Sequence, residues 1–159
     1  MTRDEVIQAI KRAAGEEGID ENLYLAICTI ESGLEATVVR YEPGYKYTHK
    51  VNEWGLQFRI SGVTEEALQK FSYGASQIMG AVMREYGYRE TLATWAQDLE
   101  APIRYGAKHL KRYLMKYDTM EKAVASYNAG SPRVTPGGMF VNQRYVDKVM
   151  GEYRKLTAV

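Results

Sequence analysis

Leu99, Ile103, Gly106, Ala107, Leu110 and Leu114 recur at three- and four-residue steps through DLEAPIRYGAKHLKRYLMKYD. That period constrains the chain more than any other feature, because it fits one face of an α-helix and no strand. Pro102 falls in the first turn of this helix, where its missing N–H has no intrahelical partner to lose. The same period returns elsewhere. Val6, Ile7, Ile10, Ala13 and Ala14 follow Thr2, with Glu5 placed to complete a capping box. Leu23, Ala26, Ile27 and Ile30 share a face of a helix from about Asp20 to Glu31, capped by Asp20 and ended by Gly33. Helical signals continue in GASQIMGAVMREYG, ending near Gly87, in TMEKAVASYNAG, stopped by Gly130, and from Asn142 to Leu156, with SPRVTPGG as a loop. Residues 40–70 break the pattern. RYEPGYKYTHKVNEWG mixes turn formers and aromatics without a period. It reads as an irregular excursion with room for a short β-hairpin within residues 40–62, followed by a short helix from Thr64 to Lys70. The expected fold class is all-α, in one domain over residues 1–159.

Composition excludes several functions. A net charge of +1 is far from the basic balance of an electrostatic nucleic-acid binder, and of the helices around Asp4–Glu17 and Asp20–Glu31, which loosely allow a helix-turn-helix, the second is not basic. A single cysteine, Cys28, rules out an intrachain disulfide and a multi-thiolate zinc site, and reads as a small buried hydrophobe. His49 and His109 are too isolated in sequence to suggest a metal site, and no cofactor is implied. No apolar run approaches the ~18 residues of a membrane span. The charged N-terminus MTRDEVIQAIKRAAGEEG lacks the apolar middle of a signal peptide. The expectation is a protein made in the cytoplasm and carried by something else to any target beyond it.

Within AICTIESGL one carboxylate, Glu31, closes an apolar run. An ionised carboxylate in such surroundings is paired, hydrogen-bonded or held neutral. Burial among Leu23, Ile27 and Ile30 and the negative end of the preceding helix both raise its pKa, which suits a general acid. A carboxylate satisfied by backbone or by a tyrosine hydroxyl fits the local pattern as well. Glu35, Glu42, Glu53 and Asp98 are available as a second carboxylate, and none stands in a distinctive setting.

Four short segments occur in order: ESG at Glu31–Gly33, SYGASQIM at Ser72–Met79, ASYNAG at Ala125–Gly130 and RYVDKV at Arg144–Val149. Together they resemble the soluble lytic transglycosylases, relatives of goose-type lysozyme in glycoside hydrolase family 23. APIRYGAKHLKRYL looks like the family segment between the second and third motifs. The second motif departs from the family's usual Gly-Leu-Met-Gln: Gly74, Gln77 and Met79 are kept, Ala75-Ser76 replaces Leu-Met, and the following proline is absent. The stretch between Glu31 and Gly74 is longer than in bacterial housekeeping members. With its RYEPG segment it is similar to phage-associated ones, an endolysin or a particle-borne enzyme among them.

The resemblance implies a lysozyme-like fold with a two-lobed cleft and cleavage of the β-1,4 bond between MurNAc and GlcNAc in peptidoglycan. Glu31 then acts as acid and afterwards as base, leaving 1,6-anhydroMurNAc ends. Ser32, Ser72, Gln77, Met79, Tyr127, Asn128 and Tyr145 match positions at or beside the sugar groove, with Tyr145 near the catalytic glutamate. Capping, helix packing or a satisfied core hydroxyl explains several of these residues individually. Tyr41, Tyr45, Tyr47 and Trp54 either wall the groove or pack on themselves. The implied partner is the peptidoglycan glycan strand, met by a monomer at the cell wall of the periplasm, without nucleic acid or a membrane segment. A hydrolytic muramidase and a non-catalytic wall-binding or virion structural protein on the same fold are the alternatives.

Overall fold

A computed structural model of the protein describes residues 1–158. Helix α1 spans Arg3–Glu17 behind the expected capping box: Glu5 N–H donates to Thr2 Oγ1 at 3.2 Å, and Thr2 N–H donates to Glu5 Oε2 at 2.6 Å. Helix α2, Glu21–Ser32, starts at Asp20, whose Oδ1 accepts from the Asn22 and Leu23 amides, and stops at Gly33 with φ 65°. Residues 23–28 of α2 are all buried. A helix apolar on every side needs neighbours on every side, and α2 packs on α1 and on α8, Gln143–Thr157. Between them in sequence, α6 (Ala101–Lys116) and α7 (Met120–Ala129) form close to their expected bounds.

The middle of the chain departs from the sequence reading in three places. No hairpin forms within residues 40–62. Instead β1, Val39–Tyr41, pairs antiparallel with β2, Phe71–Tyr73, in the register Arg40 opposite Ser72, and β2 pairs with β3, Ile78–Met79. Two helices lie between β1 and β2: α3 at Val51–Phe58, unforeseen, and α4 at Gly62–Gln69, close to the expected one. The helical reading of Gly74–Met79 is also corrected. Gly74 to Gln77 form the turn of the β2–β3 hairpin, and helix α5 begins only at Gly80 and runs to Glu85. A 3-10 segment over Leu92–Gln97 leads into α6.

Long-range bonds hold that turn open. Ser32 Oγ donates to Ala75 O at 2.7 Å, Ser76 Oγ to Pro102 O at 2.6 Å, and Tyr127 Oη to Ser76 O at 2.8 Å. Gly74 sits at φ 68°, and a Cβ there would lie 3.1 Å from Pro102 Cβ. Gly106 allows Ser76 and the Tyr24 hydroxyl to approach the α6 backbone. Three helices therefore clamp one short turn.

Two apolar clusters result. The larger joins α1, α2, α6, α7 and α8 through Ile10, Leu23, Ile27, Ile103, Leu110, Val124 and Val149. The smaller gathers Tyr73, Ile78, Val82, Met83, Tyr88 and Leu92 around the hairpin and α5. No helix among the described residues is long and apolar enough to cross a membrane.

Candidate active site

A cleft of about 360 Å³ opens where the two clusters meet. Glu31 reaches it from the last turn of α2, Ser72, Gln77, Ile78 and Met79 from the hairpin, Val82 from α5, His109 from α6, and Tyr127 and Asn128 from the end of α7. Arg40 of β1 and Glu42, Gly44 and Tyr45 of the segment after it close the cleft. The cleft continues into a second hollow of about 770 Å³ that shares Tyr45, Met79, Val82, His109, Tyr127 and Asn128 and extends to Tyr47, Arg112, Tyr113 and Arg133.

The Glu31 carboxyl makes no ion pair or hydrogen bond among the described residues. Burial is the main reason its pKa is pushed up to about 7; the nearby Arg40 charge opposes this and Glu42 adds to it. The placement at the C-terminal end of α2 acts in the same direction as burial. Arg40 approaches the main chain rather than the carboxylate, with Nη2 donating to Glu31 O at 3.4 Å. The acid is thus left unneutralised and opens onto a space large enough for a ligand.

The other expected residues divide by what their polar atoms already hold. Gln77, at φ 51°, donates from Nε2 to Val38 O and Gly74 O and accepts from Ser72 Oγ at 2.8 Å. Both its amide hydrogens are engaged, so Gln77 and Ser72 brace the hairpin while lining the cleft, and Gln77 offers a ligand only residual acceptor capacity. Met79 lines the cleft with its side chain partly exposed. Tyr127 lines it while its hydroxyl pins Ser76. Asn128 Oδ1 accepts from Asn142 Nδ2 at 2.9 Å, leaving its own NH₂ without a partner among the described residues. Ser32 is not in the cleft lining; its hydroxyl ties the end of α2 to the turn.

Tyr145 also lies behind the cleft lining. Its buried hydroxyl has no hydrogen-bond partner, and burial, followed by the Glu31 charge, holds its pKa well above the usual tyrosine value. An unmade buried hydroxyl bond costs about 1–3 kcal/mol.

Of the four aromatics proposed for a wall, Tyr45 and Tyr47 line the groove, their rings edge to face at 5.8 Å. Tyr41 is exposed and packs on Phe71. Trp54 turns away: it stacks on Phe58 and lies 4.4 Å from the Arg84 guanidinium. That guanidinium is fully buried and bonds the equally buried Glu65 at 2.8 Å, with Arg84 Nη1 also donating to Tyr88 O and Glu90 O. Glu65 Oε1 accepts from Gln69 Nε2, and Gln69 holds both ends of the His49 peptide group pair: His49 N–H donates to Oε1 at 2.6 Å and Nε2 donates to His49 O at 2.8 Å. The segment carrying Tyr45 and Tyr47 has no regular structure. This chain of bonds ties it to the minor cluster.

His109, read from the sequence only as too isolated for a metal site, lines the cleft. Its Nδ1 pairs with Tyr86 Oη at 3.1 Å and its ring lies edge-on to Tyr113 at 4.7 Å. Burial, helped by Arg112, lowers its pKa to about 4, so at neutral pH it is an uncharged part of the groove floor. The signal was its spacing on α6, three residues after Gly106 and four before Tyr113, on a strip next to the apolar stripe. Glu42 was recognised only as a carboxylate; the structure brings it into the same cleft as Glu31. Glu35 and Glu53 stay exposed outside the lining, and Asp98 pairs with Arg104 at 2.6 Å.

One unpaired carboxyl with a raised pKa, in a long groove lined with aromatics, suits acid chemistry on a sugar polymer. No solved structure matches the chain. The model of the transglycosylase SLT domain family matches residues 8–137, a span that includes Glu31, the clamped hairpin and Asn128. With so much of its length matched, the chain belongs to the transglycosylase SLT domain family: mainly helical, lysozyme-like in fold, and of the lytic transglycosylase type that acts on peptidoglycan.

Proposed function

We propose that the protein cleaves the β-1,4 bond between MurNAc and GlcNAc by intramolecular transglycosylation, with Glu31 as the single acid and base. The protonated carboxyl gives its proton to the bridging oxygen as the bond to C1 of MurNAc breaks. The acetamido oxygen of the same sugar supports the electron-poor C1. The carboxylate then takes the proton of the MurNAc 6-hydroxyl as that oxygen bonds to C1. The proton count closes, no water is consumed, and the product carries a 1,6-anhydro ring. In this reading the unpartnered Tyr145 hydroxyl, whose pKa the Glu31 charge helps to raise, turns to hold the Glu31 carboxylate once its proton has left. The observation that carries this reading is the unpaired Glu31, its pKa raised to about 7, in the cleft.

A second reading has one observation in its favour. Glu42 lines the cleft with Glu31, and a second carboxylate on the far side of C1 activates water in many glycosidases. Mass spectrometry of digested sacculi separates the two. Transglycosylation leaves anhydro ends, one water lighter than the reducing ends left by hydrolysis; we expect anhydro ends to dominate. The long insertion after Glu31 and its RYEPG segment support a phage-associated, wall-degrading role.

A further inference from the structure

The groove is electrically uneven along its length. Around Glu31 it carries two carboxylates, Glu31 and Glu42, against one cation, Arg40. Its far end carries Lys46, Arg112 and Arg133 against one carboxylate, Glu85. Glu85 lies 3.9 Å from Arg112, so that pair is largely accounted for. Lys46 and Arg133 form no ion pair among the described residues.

The two cations line the same hollow from separate segments, each tied down by backbone bonds. Lys46 belongs to the segment held by the Glu42–Tyr45 turn, where Tyr45 N–H donates to Glu42 O at 3.0 Å, and by the Gln69 clamp on His49. Arg133 sits at the base of a small hairpin closed by the Val134–Phe140 bridge, with Val141 N–H donating to Arg133 O at 2.9 Å. The hollow they line measures about 770 Å³ and joins the cleft of Glu31 through Tyr45, Met79, Val82, His109, Tyr127 and Asn128. Two unpaired cations facing one cavity favour an anionic occupant.

In peptidoglycan the sugars are neutral once the lactyl group is joined to the peptide by an amide. The anions are the carboxylates of the peptide stem. We propose that the far end of the groove is a subsite for the acidic peptide stem of a muramoyl unit, with Lys46 and Arg133 receiving its carboxylates. This rests on the reading of the cleft as a peptidoglycan site and adds to it a preference for stem-bearing, charged strands over uncharged ones.

The test uses Glu31→Gln protein, which leaves the wall intact, and co-sedimentation with two sacculus preparations. One is native; in the other the carboxyls have been converted to carboxamides. The expected result is about fivefold tighter binding to native sacculi, as for two ion pairs at a partly exposed site. The preference shrinks in high salt and falls toward one in a Lys46→Gln/Arg133→Gln protein. An equal preference with and without the two cations, or none in the parent, overturns the subsite. Failure to sediment with either preparation overturns instead the peptidoglycan reading beneath it.

Discussion

Glu31→Gln should lower the rate of sacculus clearing by about 10²–10⁴-fold, the usual worth of a positioned acid–base group. The glutamine keeps the shape and loses the transferable proton, so substrate binding should survive. The same substitution should make the protein more stable at high pH. A carboxyl whose folded pKa lies near 7 binds its proton more tightly folded than unfolded. Its contribution to stability is complete below the unfolded value and is lost as pH rises through about 7. At pH 8 the wild type therefore holds an ionised group in poorly solvated surroundings, and the neutral variant avoids that cost. Denaturant melts should show the variant ahead by on the order of 1–3 kcal/mol at pH 8 and level with the wild type near pH 4. Activity lost and stability gained from one substitution is the signature of a strained functional group. A structural carboxylate would lose on both counts.

The second large effect lies away from the acid. Glu65→Leu strands the Arg84 charge in a fully buried site and should cost about 3–5 kcal/mol in urea unfolding. Adding Arg84→Met removes the stranded charge and should restore part of the loss. Recovery stays incomplete because Tyr88 O and Glu90 O lose the donor they share. Glu65 also supports Gln69 and through it the His49 backbone. The double variant, folded, should therefore bind glycan strands more weakly through a loosened Tyr45–Tyr47 bank.

Much of this architecture is written locally. α1 and α2 carry Thr2 and Asp20 as caps and Gly18 and Gly33 as stops, and α6 has its unbroken stripe. Their bounds were readable to within a few residues for that reason. α3 was not. Its N-cap, Lys50, and its C-cap, Arg59, are both left-handed, at φ 46° and 56°, and Lys50 supplies no capping side chain. The Val51–Trp54–Gly55–Phe58 spacing is helical, but it spans too few turns to stand out among aromatics and turn formers. The Gly74–Gln77 turn was misread because its residues run without a break into the helical segment from Gly80. Ser32, Pro102 and Tyr127 hold the turn from far along the chain. β1 and β2 are separated by two helices, so their pairing left no periodic trace.

The site divides in the same way. Glu31 was legible because a lone carboxylate after an apolar run is conspicuous, and the ordered motifs gave it a role. Ser72 and Gln77 were legible as motif positions, but not the bonds that commit them to each other. His109, Glu42 and the Lys46–Arg133 pair come together only through tertiary packing, and Trp54 leaves the groove for the same reason: a buried guanidinium recruits its ring.

Glu31 must still hold its proton in a large fraction of molecules at neutral pH for it to act as the acid. Carbon-13 NMR of protein labelled at the glutamate carboxyl carbon, with Glu31→Gln to assign the signal, follows that proton directly. A midpoint near 7 is expected for Glu31, with the pH–rate profile falling on its alkaline side at the same value. A midpoint at the ordinary carboxylate value of about 4.3 would contradict it.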